Sequence, residues 1–163
     1  MAGAARAVAR LRPGILTVHA AAGPAVIRAA VEAAPNTRIA AVTVLTSLGD
    51  QDLARIGMAG PTGDAVRRLA VLSVEAGARG LVCSPREAAD VRAEVGPDIT
   101  LITPGIRATG SDVQDQARVS TPEDALAAGA DLLVIGRPIT GAPDPGAAAA
   151  AIGASLRRLA AAG

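Results

Sequence analysis

The sequence predicts an α/β fold of about five βα units with parallel strands, and three observations carry that prediction. Five short runs rich in β-branched residues, 15–18, 39–45, 80–83, 99–103 and 132–135, suit strands of a parallel sheet covered on both faces. Segments with helical spacing, 25–33, 62–75, 86–95 and 122–128, fall between them, and an Ala-rich helical stretch, 146–163, follows the last. Turn and cap residues stand at the junctions between the two kinds of segment.

Residues 2–11 already look helical, with no cap and no strand to feed them, which hints that the chain starts inside a larger fold. The first strand, 15–18, leads to Gly23-Pro24, where proline suits the first turn of the helix that follows. The second, 39–45, ends in Thr46-Ser47, and helix 62–75 stops at Gly77 before the third strand. Strand 80–83 runs into Ser84-Pro85-Arg86-Glu87, which sets a hydroxyl cap, proline and an acid at a helix start. Strand 99–103 ends in Thr103-Pro104-Gly105-Ile106-Arg107 and a polar loop, 108–116. Thr121-Pro122-Glu123-Asp124 opens the next helix and Gly129 ends it. The fifth strand, 132–135, enters Gly136-Arg137-Pro138. Strict alternation argues for right-handed crossovers. An open doubly wound sheet and a piece of a closed barrel share this pattern, which alone does not choose between them.

The length, 163 residues, suits one ordinary domain and falls short of a complete (βα)8 barrel of roughly 250. Half the chain is apolar, yet it has no Phe, Tyr or Trp, so the core must be built of Ala, Val, Leu and Ile. A net charge of +1, with both signs interspersed, gives no case for nucleic acid or an anionic membrane as partner. All 16 basic residues are Arg; there is no lysine. Cys83 is alone and cannot form an internal disulfide, so a reducing cytoplasm is expected. No stretch reads as a secretory leader or a membrane span.

Candidate site residues lie at strand ends. Gly136 lets a bound group approach the backbone, and Arg137 supplies a forked cationic donor, a combination that suits phosphate. A tight turn with a solvated Arg explains the same tripeptide equally well. Arg107, at the base of the 108–116 loop, could clamp a phosphate from the side opposite Arg137; the loop reads as a lid or as an ordinary surface loop. Thr46 and its neighbours could hydrogen-bond a polar ring or ribose, with helix capping the commoner role. His19 reads as a satisfied core residue and Cys83 as buried and inert. No residues are assigned to a metal.

Together, Ala41-Val42-Thr43-Val44-Leu45-Thr46-Ser47, Leu81-Val82-Cys83-Ser84, Thr103-Pro104-Gly105-Ile106-Arg107 and Val134-Ile135-Gly136-Arg137-Pro138 resemble the last four strand ends of the orotidine 5′-phosphate decarboxylase family, in order and in spacing. Val18-His19-Ala20 resembles the strand before them, and the resemblance covers essentially the whole chain. It implies an incomplete (βα)8 TIM-type barrel, residues 1–163 forming a single partial barrel from the family's last five strands, with the N-terminal strands missing. It also implies decarboxylation of orotidine 5′-phosphate to UMP in de novo pyrimidine biosynthesis, with no metal or organic cofactor, by a homodimer whose subunits complete each other's sites. The residues matching the family's phosphate grip are Arg107, Arg137 and the Gly136 backbone. Gln116 matches a lid residue reaching to phosphate and pyrimidine, and Thr46 a hydroxyl that contacts substrate.

The family's catalytic Asp-x-Lys-x-x-Asp stretch precedes the helix that opens this chain, and a further Asp and Lys belong to earlier strands. None of these positions exists here, so no catalytic residue is assigned. Loss of CO2 from C6 leaves a carbanion that an ammonium can stabilise and then protonate. A guanidinium is a poor substitute, because it does not readily release its proton. The expectation is a chain that keeps the phosphate handle and lacks the reacting groups, its open sheet edges favouring aggregation. The alternatives are a non-catalytic phosphate- or nucleotide-binding fragment that pairs with another chain, and a related phosphosugar barrel enzyme. The Thr103-to-Arg107 motif and the Gln116 loop argue against the last.

Overall fold

Five strands pair in parallel in the order in which they occur along the chain: β1 (Ile15–His19), β2 (Arg38–Val42), β3 (Gly80–Val82), β4 (Thr100–Thr103) and β5 (Leu132–Leu133). Strand order separates the two architectures that alternation left open. A doubly wound sheet reverses its order at a switch point, whereas a barrel wall adds each strand beside the last. This sheet never reverses. The computed structural model describes residues 1–106 and 120–160.

The helices are α1 (Ala2–Ala9), α2 (Pro24–Ala33), α3 (Asp50–Arg55), α4 (Thr62–Glu75), α5 (Pro85–Val95), α6 (Pro122–Ala127), α7 (Arg137–Thr140) and α8 (Pro145–Ala160). The junction chemistry read from the sequence is in place. The Ser84 hydroxyl accepts from the Arg86 amide at 3.2 Å, and the Thr121 hydroxyl accepts from the Asp124 amide at 3.1 Å. Pro24, Pro85 and Pro122 stand in the first turns of their helices. Gly77 and Gly129 take positive φ just beyond α4 and α6, a conformation open to glycine at little cost.

Strand register decides which side chains face which layer. Val18, Ala41, Leu81 and Leu101 are direct partners across β1 to β4, and all four are buried in the main core with helix residues such as Ile27, Val66 and Val91. Their neighbours along each strand face the other way. On that face His19, Val42, Val82, Ile102 and Leu132 form one row across all five strands, one step from the strands' C-terminal ends or at them. The row below is Thr17, Ala40, Gly80 and Thr100. A second, smaller apolar cluster joins Ile106, Ala125 and Ala130 to Leu133 and Ile135 beneath α6.

Three departures from the sequence reading have local causes. The second strand stops at Val42 rather than residue 45: Thr43 gives both its amide (3.1 Å) and its hydroxyl (2.8 Å) to the Val82 carbonyl, and the chain then turns away. The fifth strand is two residues long, although the Val134 amide still reaches the Thr103 carbonyl at 2.9 Å. Two short helices, α3 and α7, sit within stretches read as connections.

Candidate functional site

Parallel strands in one wall put all their C-terminal ends on the same side, so the β2, β4 and β5 ends that carry the sequence-assigned residues share a face. Thr46 is the fourth residue past β2 and is buried. The connection that holds it folds on itself. The Leu48 amide turns back to the Leu45 carbonyl at 3.0 Å, and the Gly49 amide donates to the Asp52 carboxylate at 3.0 Å to open α3. Leu53 of α3 is fully buried in the core. Asp50 then accepts both the amide and the hydroxyl of Thr62 at the start of α4. A loop with its own buried anchor is a fixed part of the face.

The end of β4 is shaped by Pro104 and Gly105. Gly105 has φ +80°, the conformation a type II turn demands of the residue after its proline. The turn delivers Ile106 into full burial, and Ile106 forms a parallel bridge with Ser120, whose amide bonds the Gly105 carbonyl at 3.3 Å. Arg107 and Gln116, assigned from sequence to the phosphate and the lid, lie outside the described residues.

At the end of β5, Gly136 caps α7 and its carbonyl accepts from the amides of Ile139 (2.8 Å) and Thr140 (3.0 Å). Its φ is −100°, and a Cβ added at this position would meet no atom within 4 Å. What the missing side chain leaves is open space beside exposed Arg137, the first residue of α7. Thr46 stands at the β2 end and Gly136 and Arg137 at the β5 end, three strand spacings apart, on the order of 14 Å along the sheet.

His19 departs from its sequence reading as a core residue. Val18 points into the core, so alternation turns His19 to the opposite face, where it is exposed among the described residues. Strand parity was the signal available for it. Cys83, one residue past β3, is buried in the main core as expected. A groove of about 610 Å³ lies on the outer helix layer between α4 and α5, lined by residues such as Arg67, Leu72 and Glu94, and has no strand-end residue in its walls. Among the described residues no cluster of three or more His, Cys, Asp or Glu could hold a metal ion, and no helix is long and apolar enough to cross a membrane.

Comparison with known proteins agrees with this geometry. The sequence model of the family described as "Orotidine 5'-phosphate decarboxylase / HUMPS family" matches residues 1–152. A protein of Thermobifida fusca (strain YX), named orotidine 5′-phosphate decarboxylase, is 73% identical over 158 residues, covering 97% of this chain and 68% of that protein. One of the same name from Frankia casuarinae is 64% identical over 156 residues, covering 96% of this chain and 57% of the relative. The crystal structure of orotidine 5′-phosphate decarboxylase from Lactobacillus acidophilus superposes with a TM-score of 0.79 at 34% identity, covering 93% of this chain and 67% of that one. The chain thus spans between 57% and 68% of the length of these relatives. It belongs to the orotidine 5′-phosphate decarboxylase / HUMPS family, and its five parallel strands are part of a TIM-type barrel of that family.

Proposed function

We propose that this chain provides the phosphate-binding side of a decarboxylase site that converts orotidine 5′-phosphate to UMP and CO2. The observation that carries the reading is the β5 end, where Gly136 leaves open space beside an exposed Arg137 on the face that barrel enzymes use for chemistry. The Arg137 guanidinium offers two parallel N–H groups to phosphate oxygens, with the bare backbone at Gly136 close by. Arg107 takes the phosphate from the other side, Gln116 reaches from the lid towards phosphate and pyrimidine, and Thr46 meets the substrate from the β2 end.

The reacting groups are a separate matter. Breaking the C6–CO2 bond leaves the electron pair on C6, and the step ends when a proton reaches that carbon. The 163 residues contain no lysine, so in this reading the ammonium that stabilises and protonates C6 comes from other polypeptide, as do the acids around it. Phosphate contacts remote from C6 supply binding energy that assembles the site, and they break no bond themselves. The working protein is a cytoplasmic homodimer that needs no metal or organic cofactor and binds no nucleic acid.

The absence of lysine also favours a second reading, a nucleotide-binding piece with no turnover of its own. Both are tested by mixing the purified chain with orotidine 5′-phosphate and following CO2 release beside UMP affinity. UMP binding without CO2 release is the expected result for the chain alone. CO2 release by the chain alone contradicts the division of labour, and failure to bind UMP contradicts the phosphate assignment.

A further inference from the structure

At the end of β5 opposite Gly136, one carboxylate oxygen stands in for a link of the sheet ladder. The Asp131 amide donates to the Leu101 carbonyl at 2.9 Å, and the Leu101 amide answers by donating to Asp131 Oδ2 at 2.7 Å. The same oxygen receives Arg92 Nη2 at 2.6 Å. Arg92 Nη1 also donates to the carbonyls of Gly96 (2.8 Å) and Ile99 (2.7 Å), and Nη2 to that of Gly129 (3.0 Å). A single guanidinium therefore joins the end of α5, the entry to β4, the end of α6 and the start of β5.

The rest of the contact that fixes how far β5 slides along β4 is short. β5 is two residues long and pairs Leu132 with Ile102 and Leu133 with Thr103. Beyond that short ladder, the Val134 amide reaches the Thr103 carbonyl at 2.9 Å and the Thr103 hydroxyl makes a long 3.4 Å contact with the Leu132 carbonyl. Burial specifies register where one face of a strand is covered. On β5 that cover is small: Leu133 and Ile135 are partly buried against Ile106, Ala125 and Ala130, while Leu132 and Val134 on the other face are 43% and 51% exposed. A slip of one residue moves a strand by roughly 3.3 Å and reverses its faces.

We infer that Arg92 and Asp131 are positioning residues for the phosphate site: by locking β5 in register on β4 they set where Gly136 and Arg137 stand, from the far end of the same strand. The inference rests on the phosphate reading of Gly136 and Arg137 given above. It differs from a purely stabilising role because a loosened lock shifts the phosphate contacts in chains that remain folded.

The test measures UMP and uridine affinities of the 163-residue chain by NMR titration, with folding checked by circular dichroism, for the unsubstituted protein, Asp131→Ala, Arg92→Lys and Arg137→Ala. Arg92→Lys keeps the charge and loses the fork. Asp131→Ala and Arg92→Lys should weaken UMP relative to uridine by about tenfold or more, since an ångström of misplacement is enough for losses of that order. If Asp131→Ala does not fold, Asp131→Asn, which keeps the shape and loses the charge, takes its place with the same expected direction. If the folded variants keep the original UMP-to-uridine ratio while Arg137→Ala collapses it, the positioning role is overturned and the phosphate reading stands. If Arg137→Ala also leaves the ratio unchanged, the phosphate reading fails and the inference falls with it.

Discussion

Thr62 gives both its backbone amide and its side-chain hydroxyl to the same oxygen of Asp50, at 2.8 and 2.6 Å. Asp50 is the first residue of α3 and Thr62 the first of α4, so this one carboxylate closes the connection that carries Thr46 at the face of the strand ends. Thr62 is buried, which makes the carboxylate the acceptor for a donor with little access to water.

Removing that acceptor should be costly. Asp50→Ala is expected to lower stability by about 2 kcal/mol, and Thr62→Val, which keeps the amide bond and the shape, by about 1 kcal/mol. Urea denaturation midpoints at unchanged slope check both values. If the two variants denature like the original chain, the connection is not held by this clip.

Gly80 tests the packing of the sheet itself. A Cβ there would come within 3.1 Å of the Ala40 Cβ and 3.4 Å of the Ala40 Cα, both fixed to the neighbouring strand. Gly80→Ala should therefore destabilise by about 1 kcal/mol even though alanine orders the unfolded chain better than glycine does. The double variant Gly80→Ala/Ala40→Gly should recover most of the loss in thermal denaturation.

The sheet edges have consequences for handling the chain. Among the described residues β1 and β5 each pair on one side only, and Leu132 and Val134 leave apolar surface at the β5 edge. Open edges with apolar side chains invite pairing with another copy. Leu132→Gln combined with Val134→Thr is expected to reduce concentration-dependent association measured by light scattering. Association unaffected by these substitutions would locate the contact elsewhere.

What could be read from the sequence was what local chemistry decides. The caps at Ser84 and Thr121 and the stops at Gly77 and Gly129 each depend on a few neighbouring residues, and each is where the reading put it; the five strands overlap the runs read for them, though β2 and β5 stop early. α3 escaped because it is six residues long, and its signal, Asp50 and Asp52 in a first turn with Leu53 to bury, is too short for a periodicity to register. His19 was misread because it was judged by its apolar neighbours in the chain, whereas strand parity sends it to the face opposite Val18. The Arg92–Asp131 lock joins residues 39 positions apart and leaves no trace in a local pattern. Alternation of strands and helices left barrel winding open; the family resemblance implied it, and the strand order bears it out. Of the site, the sequence placed Thr46, Gly136 and Arg137 at strand ends, while the open space beside Gly136 required coordinates.

Phosphate binding at the β5 end is tested by calorimetry that compares UMP with uridine in the original chain and in Arg137→Ala. UMP should bind more tightly than uridine, and Arg137→Ala should weaken UMP by roughly ten- to hundredfold, the worth of a charge-assisted contact, while uridine is unchanged. Equal weakening of both ligands, or no preference for UMP in the original chain, would contradict it.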